Sequence, residues 1–321
     1  MAIRLLSRTT TRRSLVVHSF LLMSFRTASS QTTTTTTSTN SYLQSQFSLQ
    51  GHCAIISGGG TGIGAALAKG LASAGASVCL TGRRSQPLQD TTNDILEHLL
   101  QQQQQQQDHT NNDTVDLSKR VVYYPCDVTQ PDQVTALVQH AYEATSLPPT
   151  ILVNNAGMNV RKSFDELDIQ DMEQSLALML TAPYLLAKAM APYFQQANYG
   201  RIINIASLQS YLAFPNSLPY AASKSGILGL TRALGEAFAP PTYSHVTCNA
   251  IAPGYVQTDL TASVFADQER AQRLADRTLV GRNSVPHDLV GPCIFLASPA
   301  AAYVNGQCLP VDGGFTALGL R

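Results

Sequence analysis

Seven short runs of apolar, mostly β-branched or small residues recur along the chain. They cover residues 52–57, 76–81, 120–124, 151–153, 202–206, 245–251 and 307–311. Runs that are apolar throughout, without polar alternation, read as strands covered on both faces, which is the habit of parallel sheets. Between them lie stretches of helical periodicity: residues 65–74, 88–100, 131–146, 168–197 and 286–296, with another helix opening at Tyr220. Strands alternating with helices predict an α/β fold, a Rossmann-type doubly wound seven-stranded parallel sheet in a single domain. Such sheets place their ligands at the carboxyl edge of the strands.

Two stretches break the pattern. Residues 1–50 carry Arg4, Arg8, Arg12, Arg13 and Arg26, many Ser and Thr and no acid; the first acidic residue is Asp90. Such a composition predicts a targeting leader with a mitochondrial address, followed by a low-complexity linker around the threonine tract at 32–37. The apolar run at 15–25 leaves a secretory signal or an untargeted cytoplasmic tail as alternatives. Residues 101–118 open with seven glutamines and predict a disordered insertion. The folded unit is then residues 51–321.

Composition narrows the function. The chain has 321 residues, 44% hydrophobic and 13% charged, which suits a globular protein with a sizeable core. Basic and acidic residues number 21 each, so nothing points to nucleic acid. Without residues 1–50 the balance is 16 basic to 21 acidic, mildly acidic. The apolar run in the leader is too short to span a bilayer, so no membrane partner is expected. Six cysteines and seven histidines show no metal-ligand spacing, so no metal is expected.

The candidate chemistry sits at strand ends. SGGGTGIG at 57–64 follows the first strand and opens a helix, as a pyrophosphate site requires. Gly58 lets the chain turn, while Gly62 and Gly64 let the backbone approach a cofactor. After the second strand come Gly82, Arg83 and Arg84, where an NAD site would place an acid. An arginine there can grip a 2′-phosphate instead, so NADP(H) is favoured, with Arg83 as its main contact and NAD(H) as the alternative. Ser207 ends the strand at 202–206, and Tyr220 and Lys224 share one helix face four residues apart. A nearby ammonium lowers a phenol's pKa, which makes Tyr220 a usable proton donor or acceptor, with Ser207 able to bond the same oxygen. Arg161 and Lys162 leave the neighbouring strand end and Gln209 lies two beyond Ser207, so these segments should border the same substrate. A guanidinium there can grip a carboxylate; the alternative is that both cations are solvent-facing loop charges.

With the glycine turn, NNAG at 154–157, Ser207, YAASK at 220–224, APG at 252–254 and the ending VNGQCLPVDGG, the chain resembles the short-chain dehydrogenase/reductase family over residues 51–320. The resemblance implies hydride transfer between NAD(P)(H) and a secondary alcohol or ketone, with Ser207, Tyr220 and Lys224 as catalytic residues and Ser207, Gln209 and Arg161 toward the substrate. It implies cofactor contacts from Ser57, Gly58, Gly62, Ile63, Gly64, Arg83, Asp127 and Val128. It extends them to Asn155, Ala156, Gly157, Tyr220, Lys224, Pro253, Gly254 and Thr258. It also implies a helical substrate lid over 259–280 and a homo-oligomer, dimer or tetramer. Within the family the motifs look most like the gluconate 5-dehydrogenase branch of sugar-acid reductases. A 3-oxoacyl-carrier-protein reductase, which would suit a mitochondrial address, is the alternative. One departure stands out: many relatives carry an asparagine where this chain has Met179. A thioether cannot replace the amide in a proton relay, so a catalytically degenerate binding or regulatory protein is the reading from another class.

Overall fold

The computed structural model describes residues 36–107 and 117–319. Among them one sheet holds seven parallel strands: β1 (Cys53–Ser57), β2 (Ser77–Gly82), β3 (Val121–Pro125), β4 (Pro149–Asn154), β5 (Gly200–Ile205), β6 (Val246–Pro253) and β7 (Cys308–Val311). Their order is β3-β2-β1-β4-β5-β6-β7, so the chain reverses direction between β1 and β4. That switch point leaves a crevice at the carboxyl edge. The helices are α1 (Thr36–Phe47), α2 (Gly62–Ser73), α3 (Ser85–Gln107), α4 (Pro131–Thr145), α5 (Ile169–Leu176), α6 (Ala182–Ala197), α7 (Leu218–Ala237), α8 (Ala262–Phe265), α9 (Gln268–Asp276) and α10 (Val290–Ala297).

Alternation along β1 shows why the runs read as apolar throughout. Ala54 and Ile56 pack with Leu67 and Leu71 of α2, whereas Cys53 and Ile55 pack on the other face with Leu137 of α4 and Leu186 and Phe194 of α6. Both faces are therefore core, and the doubly wound sheet matches the expected fold class.

Three boundaries differ from expectation. The glutamines at 101–107 continue α3 as helix. Glutamine is a good helix former, and extending an existing helix avoids the cost of nucleation. Gln101 donates to Glu97 and Gln102 meets His98, each one turn back. Residues 108–116 of the expected insertion lie outside the described residues, as do residues 1–35 of the expected leader.

The second difference is inside the helix expected over 168–197. Asp168 caps it by accepting from Asp171 N–H at 2.9 Å, but residues Ala177–Thr181 form a π turn between α5 and α6. There the Ala182 N–H donates to the Ala177 carbonyl five residues back, and Pro183, next along, has no N–H to give the Met179 carbonyl. Over Ile169–Ala197 the composition is apolar enough, by length, to cross a membrane. Its inward residues Met179, Leu186, Met190 and Phe194 are instead buried in this core.

The third is the start of the folded unit. Residues 41–47 of α1 and Leu49 precede the expected boundary at 51, yet Leu49 is fully buried against α2, and its N–H donates to the Ala74 carbonyl at 2.9 Å. Leu49→Ala is expected to destabilise the chain by about 2–4 kcal/mol, the usual cost of a buried leucine. A chain begun at Leu43 should match the full chain in urea unfolding, and one begun at Gly51 should unfold at lower urea. Equal midpoints for the two truncations would remove Leu49 from the core.

Candidate active site

The glycine turn is held from beneath. Ser57 Oγ accepts from the N–H groups of Asn155 and Ala156 at 3.0 and 3.1 Å, and Asn155 Nδ2 donates to the carbonyls of Ser57 and Gly58. Ser57, expected to touch the cofactor, is thus buried and ties β1 to the turn after β4; its hydroxyl is already engaged by backbone. Gly64 is required for packing: a Cβ there would stand 2.1 Å from the Gly58 carbonyl. Gly58 and Gly62 have φ of +65° and +54°, in the left-handed region that favours glycine. Gly62 and Ile63 open onto a cleft of about 470 Å³.

This cleft runs from the glycine turn past Asn155, Ala156 and Gly157 to Lys224 and Tyr220, and is closed opposite by Pro253, Gly254 and Thr258. A second lobe, about 540 Å³, lies over the ends of β2 and β3, with Arg83, Arg84, Asp127 and Val128 on its wall. Asp127 also caps its own turn, accepting from Thr129 N–H at 3.0 Å. Arg83 and Arg84 are exposed, and among the described residues neither makes an ion pair. No acid lines this lobe apart from Asp127. Glycines at the turn, a helix N-terminus behind it and two free guanidiniums fit a dinucleotide carrying an extra phosphate. Arg84 lines both lobes and was not singled out from the sequence; the doubled arginine was its signal.

The three candidate catalytic residues converge as their spacing implied. Ser207 caps the turn after β5, accepting from Gln209 N–H at 3.1 Å. Ser210 Oγ donates to the Lys224 backbone carbonyl at 2.5 Å, pinning that turn to α7. Lys224 Nζ donates to the Ile205 carbonyl at 2.5 Å and stands 5.6 Å from the Tyr220 ring centroid. Burial pulls the Lys224 pKa down to about 8. Burial also lifts Tyr220 above its ordinary value, against the pull of the Ser207 hydroxyl and the Arg161 charge. The expectation that the phenol is held low differs from the structure of the chain alone: burial of the Tyr220 hydroxyl outweighs the groups that pull its pKa down. Met179 is buried under the turn at Gly157, its Sδ 3.6 Å from where a Cβ on that glycine would stand.

Ser207 and Tyr220 also open onto an adjoining cavity of about 340 Å³. Gln209 and Arg161 line it as expected, and Asn159, Ser217, Tyr255 and Arg270 join them. Ser217 Oγ donates to Asn159 Oδ1 at 2.9 Å and accepts from Gln209 Nε2 at 3.3 Å. Lys162 is turned away, its ammonium 2.6 Å from Asp171. Asn159, Ser217 and Arg270 were missed because they come from loops and a lid whose course no periodicity fixes. Among the described residues, no group of three or more His, Cys, Asp or Glu side chains is arranged to hold a metal ion.

The buried lysine has a thermodynamic signature. The folded chain releases the Lys224 proton near pH 8, and the unfolded chain near 10.5. Between those values the unfolded state binds more protons, so wild-type stability rises with pH. Lys224→Met lacks this dependence. It should be more stable than wild type below pH 8, by up to roughly 3 kcal/mol, with a gap that shrinks toward pH 10. Urea midpoints at pH 7 and pH 10 measure it; a gap that does not change with pH would contradict the buried amine.

Comparison with known proteins agrees with this geometry. The family model described as Enoyl-(Acyl carrier protein) reductase matches residues 58–316. The chain is 35% identical to 2-dehydro-3-deoxy-D-gluconate 5-dehydrogenase of Escherichia coli, covering 85% of this chain and 98% of that one. It is 34% identical to gluconate 5-dehydrogenase of Gluconobacter oxydans, covering 84% and 96%. The crystal structure of a gluconate 5-dehydrogenase from Burkholderia cenocepacia, in complex with NADP and tartrate, superposes with a TM-score of 0.73 at 33% identity, covering 86% and 100%. These relatives are bacterial, from cells without mitochondria, and this overturns the mitochondrial address expected from residues 1–50. The glycine turn, the Ser207–Tyr220–Lys224 constellation and the sheet order, together with these matches, show that the chain belongs to the short-chain dehydrogenase/reductase family.

Proposed function

We propose that the chain is an NADP(H)-dependent oxidoreductase that interconverts a secondary alcohol and a ketone on a sugar acid. One observation carries the choice of substrate. The cavity beside Ser207 and Tyr220 has two guanidiniums, Arg161 and Arg270, and no carboxylate in its lining. Of the two neighbouring cations weighed from the sequence, Lys162 is neutralised by Asp171 and Arg161 is not. The relatives named above, gluconate dehydrogenases, support the same substrate class. A 3-oxoacyl thioester offers no carboxylate for such a cavity.

In this reading Tyr220 passes a proton to the ketone oxygen, or takes it from the alcohol, and Ser207 donates a hydrogen bond to that oxygen. Lys224 binds the cofactor ribose and is the proton store behind the phenol, suited to that by a pKa that burial pulls down to about 8. The cofactor supplies the hydride chemistry when bound. Gly58, Gly62, Ile63, Asn155, Ala156, Gly157, Asp127, Val128, Pro253, Gly254 and Thr258 wall its cleft, with Arg83 on the 2′-phosphate. Gln209 and Arg161 contact the substrate. The catalytic domain begins at or before Leu49. A homo-oligomer completes the proposal, supported by exposed Phe164, Ile169 and Tyr184 around α5 and α6, apolar surface that a second copy would cover.

Two measurements test it. Arg83→Ala should raise KM for NADPH roughly ten- to a hundredfold, as loss of a charge-assisted contact does, and leave KM for NADH nearly unchanged; equal effects would remove the phosphate contact. Arg161→Ala should lower kcat/KM on a keto-sugar acid by a similar factor and spare a neutral ketone of the same size. An unchanged ratio would move the assignment to a neutral or acyl substrate.

A further inference from the structure

Several cations on the segments that border the substrate cavity are paired with acids. Arg273 pairs with Glu269 at 2.5 Å on the outer face of α9, Arg282 grips both oxygens of Asp288 at 2.7 and 2.8 Å, and Lys162 is held by Asp171. Arg161 and Arg270 make no ion pair among the described residues, yet both line the cavity. They approach it from different sides. Arg161 follows the turn after β4. Arg270 sits in the first turn of α9, where Asp267 accepts from its N–H at 3.0 Å, and it is half-buried. Tyr255, also on the cavity wall, shows how close these charges come. Burial raises its pKa, and Arg270, Arg161 and Arg277 all pull it back. Of these three, Arg277 lies over the Phe315 ring at 4.6 Å and does not line the cavity.

Two unpaired guanidiniums facing one small cavity with no acid in its lining repel each other, and an anion between them relieves that repulsion. We propose that Arg270 is a second carboxylate-binding residue, carried by the α8–α9 segment, so that the acid group of the substrate is held between Arg161 on the fixed loop and Arg270 on the lid. This rests on the sugar-acid reading and adds to it a specificity-determining residue and a reason for the lid. The segment after β6 is fastened at its far end, where the N–H groups of Leu279 and Val280 donate to the Gly313 carbonyl at 2.7 and 3.2 Å, and Asn283 Nδ2 donates to the Ala271 carbonyl beside Arg270 at 2.8 Å. Its near end, from Leu260 to Arg270, carries the cavity wall. A carboxylate bridging the two arginines draws the Arg270 side chain, and the exposed stretch 266–269 before it, over the reacting carbon; a neutral ketose has nothing to pull with. Binding of the acid and closure over it become one event.

The test uses the full chain with saturating NADPH. Wild type, Arg270→Gln, Arg270→Lys and Arg161→Ala are assayed on a keto-hexonate and on the neutral ketohexose of the same length. Arg270→Gln should raise KM for the keto acid roughly ten- to a hundredfold, with kcat less affected, and change kcat/KM on the ketose by less than about twofold. Arg270→Lys should recover part of the loss, because it keeps the charge without the fork. Equal losses on both substrates, or none on either, would overturn the inference. A second measurement needs no variant: tryptic cleavage within α9 of wild type should slow when a non-reducible hexonate is added, and not with the matching neutral polyol. No difference between the two would equally overturn it. If wild type itself shows no preference for the keto acid, the sugar-acid reading fails and this inference with it. If the preference depends on Arg161 but not on Arg270, this inference alone fails.

Discussion

A lysine amine stripped of water is the constraint around which the site is built. Lys224 lies buried at the carboxyl edge of β5, where a single backbone carbonyl, that of Ile205, takes one of its three donors. Desolvating a cation is costly unless it is well paired. Arg201, at the opposite end of the same strand, is the contrast. It too is buried, but its guanidinium donates to three carbonyls, those of Gly200, His245 and Ser298, and stacks on Tyr199. Arg201 is satisfied and structural. Lys224 keeps donor capacity facing the cleft, in the manner of a group that is held ready for a ligand. The Ser207 cap, the Ser210 bond to α7 and the packing of that helix on β6 all serve to keep that amine and the Tyr220 hydroxyl in place.

The same sorting of charge runs over the surface around the site. Lys162, Arg273 and Arg282 are paired with acids, while Arg83 and Arg84 beside one lobe and Arg161 and Arg270 beside the other cavity make no ion pair among the described residues. Exposed ion pairs add little to stability. Their value here is to fix which cations a negatively charged ligand can reach.

Much of this was legible in the sequence, for reasons that can be traced. The strands were, because burial on both faces leaves runs such as Ala54-Ile55-Ile56 no polar option. The convergence of Ser207, Tyr220 and Lys224 was, because helix periodicity and strand ends fix those positions through the backbone alone. What the chain hid were facts of the third dimension. Ser57 sits where a cofactor contact is expected, but Asn155 and Ala156 reach its hydroxyl first. The phenol was expected to be acidified by its lysine, but burial of its hydroxyl acts the other way and outweighs the pull of Ser207 and Arg161. The glutamine tract reads as disordered by composition and is helical where α3 can carry it. Pro183 was visible throughout, but so was Pro192, through which α6 runs unbroken, so a missing N–H alone did not mark the π turn.

The π turn has a consequence for how one long helix serves two tasks. An α-helix turns about 100° per residue, so the extra residue in the π turn rotates everything after Thr181 by roughly that angle relative to an unbroken helix. Gln174 before the turn, with Ala177 and Leu178 where it opens, line the dinucleotide cleft; after it, Leu186, Met190 and Phe194 face the core. The bulge works as a fixed phase shift between a ligand-facing stripe and a core-facing stripe. A relative lacking the inserted residue would have to choose a different set of side chains for one of them, so the length of this helix, counted residue by residue, is under as much constraint as its composition.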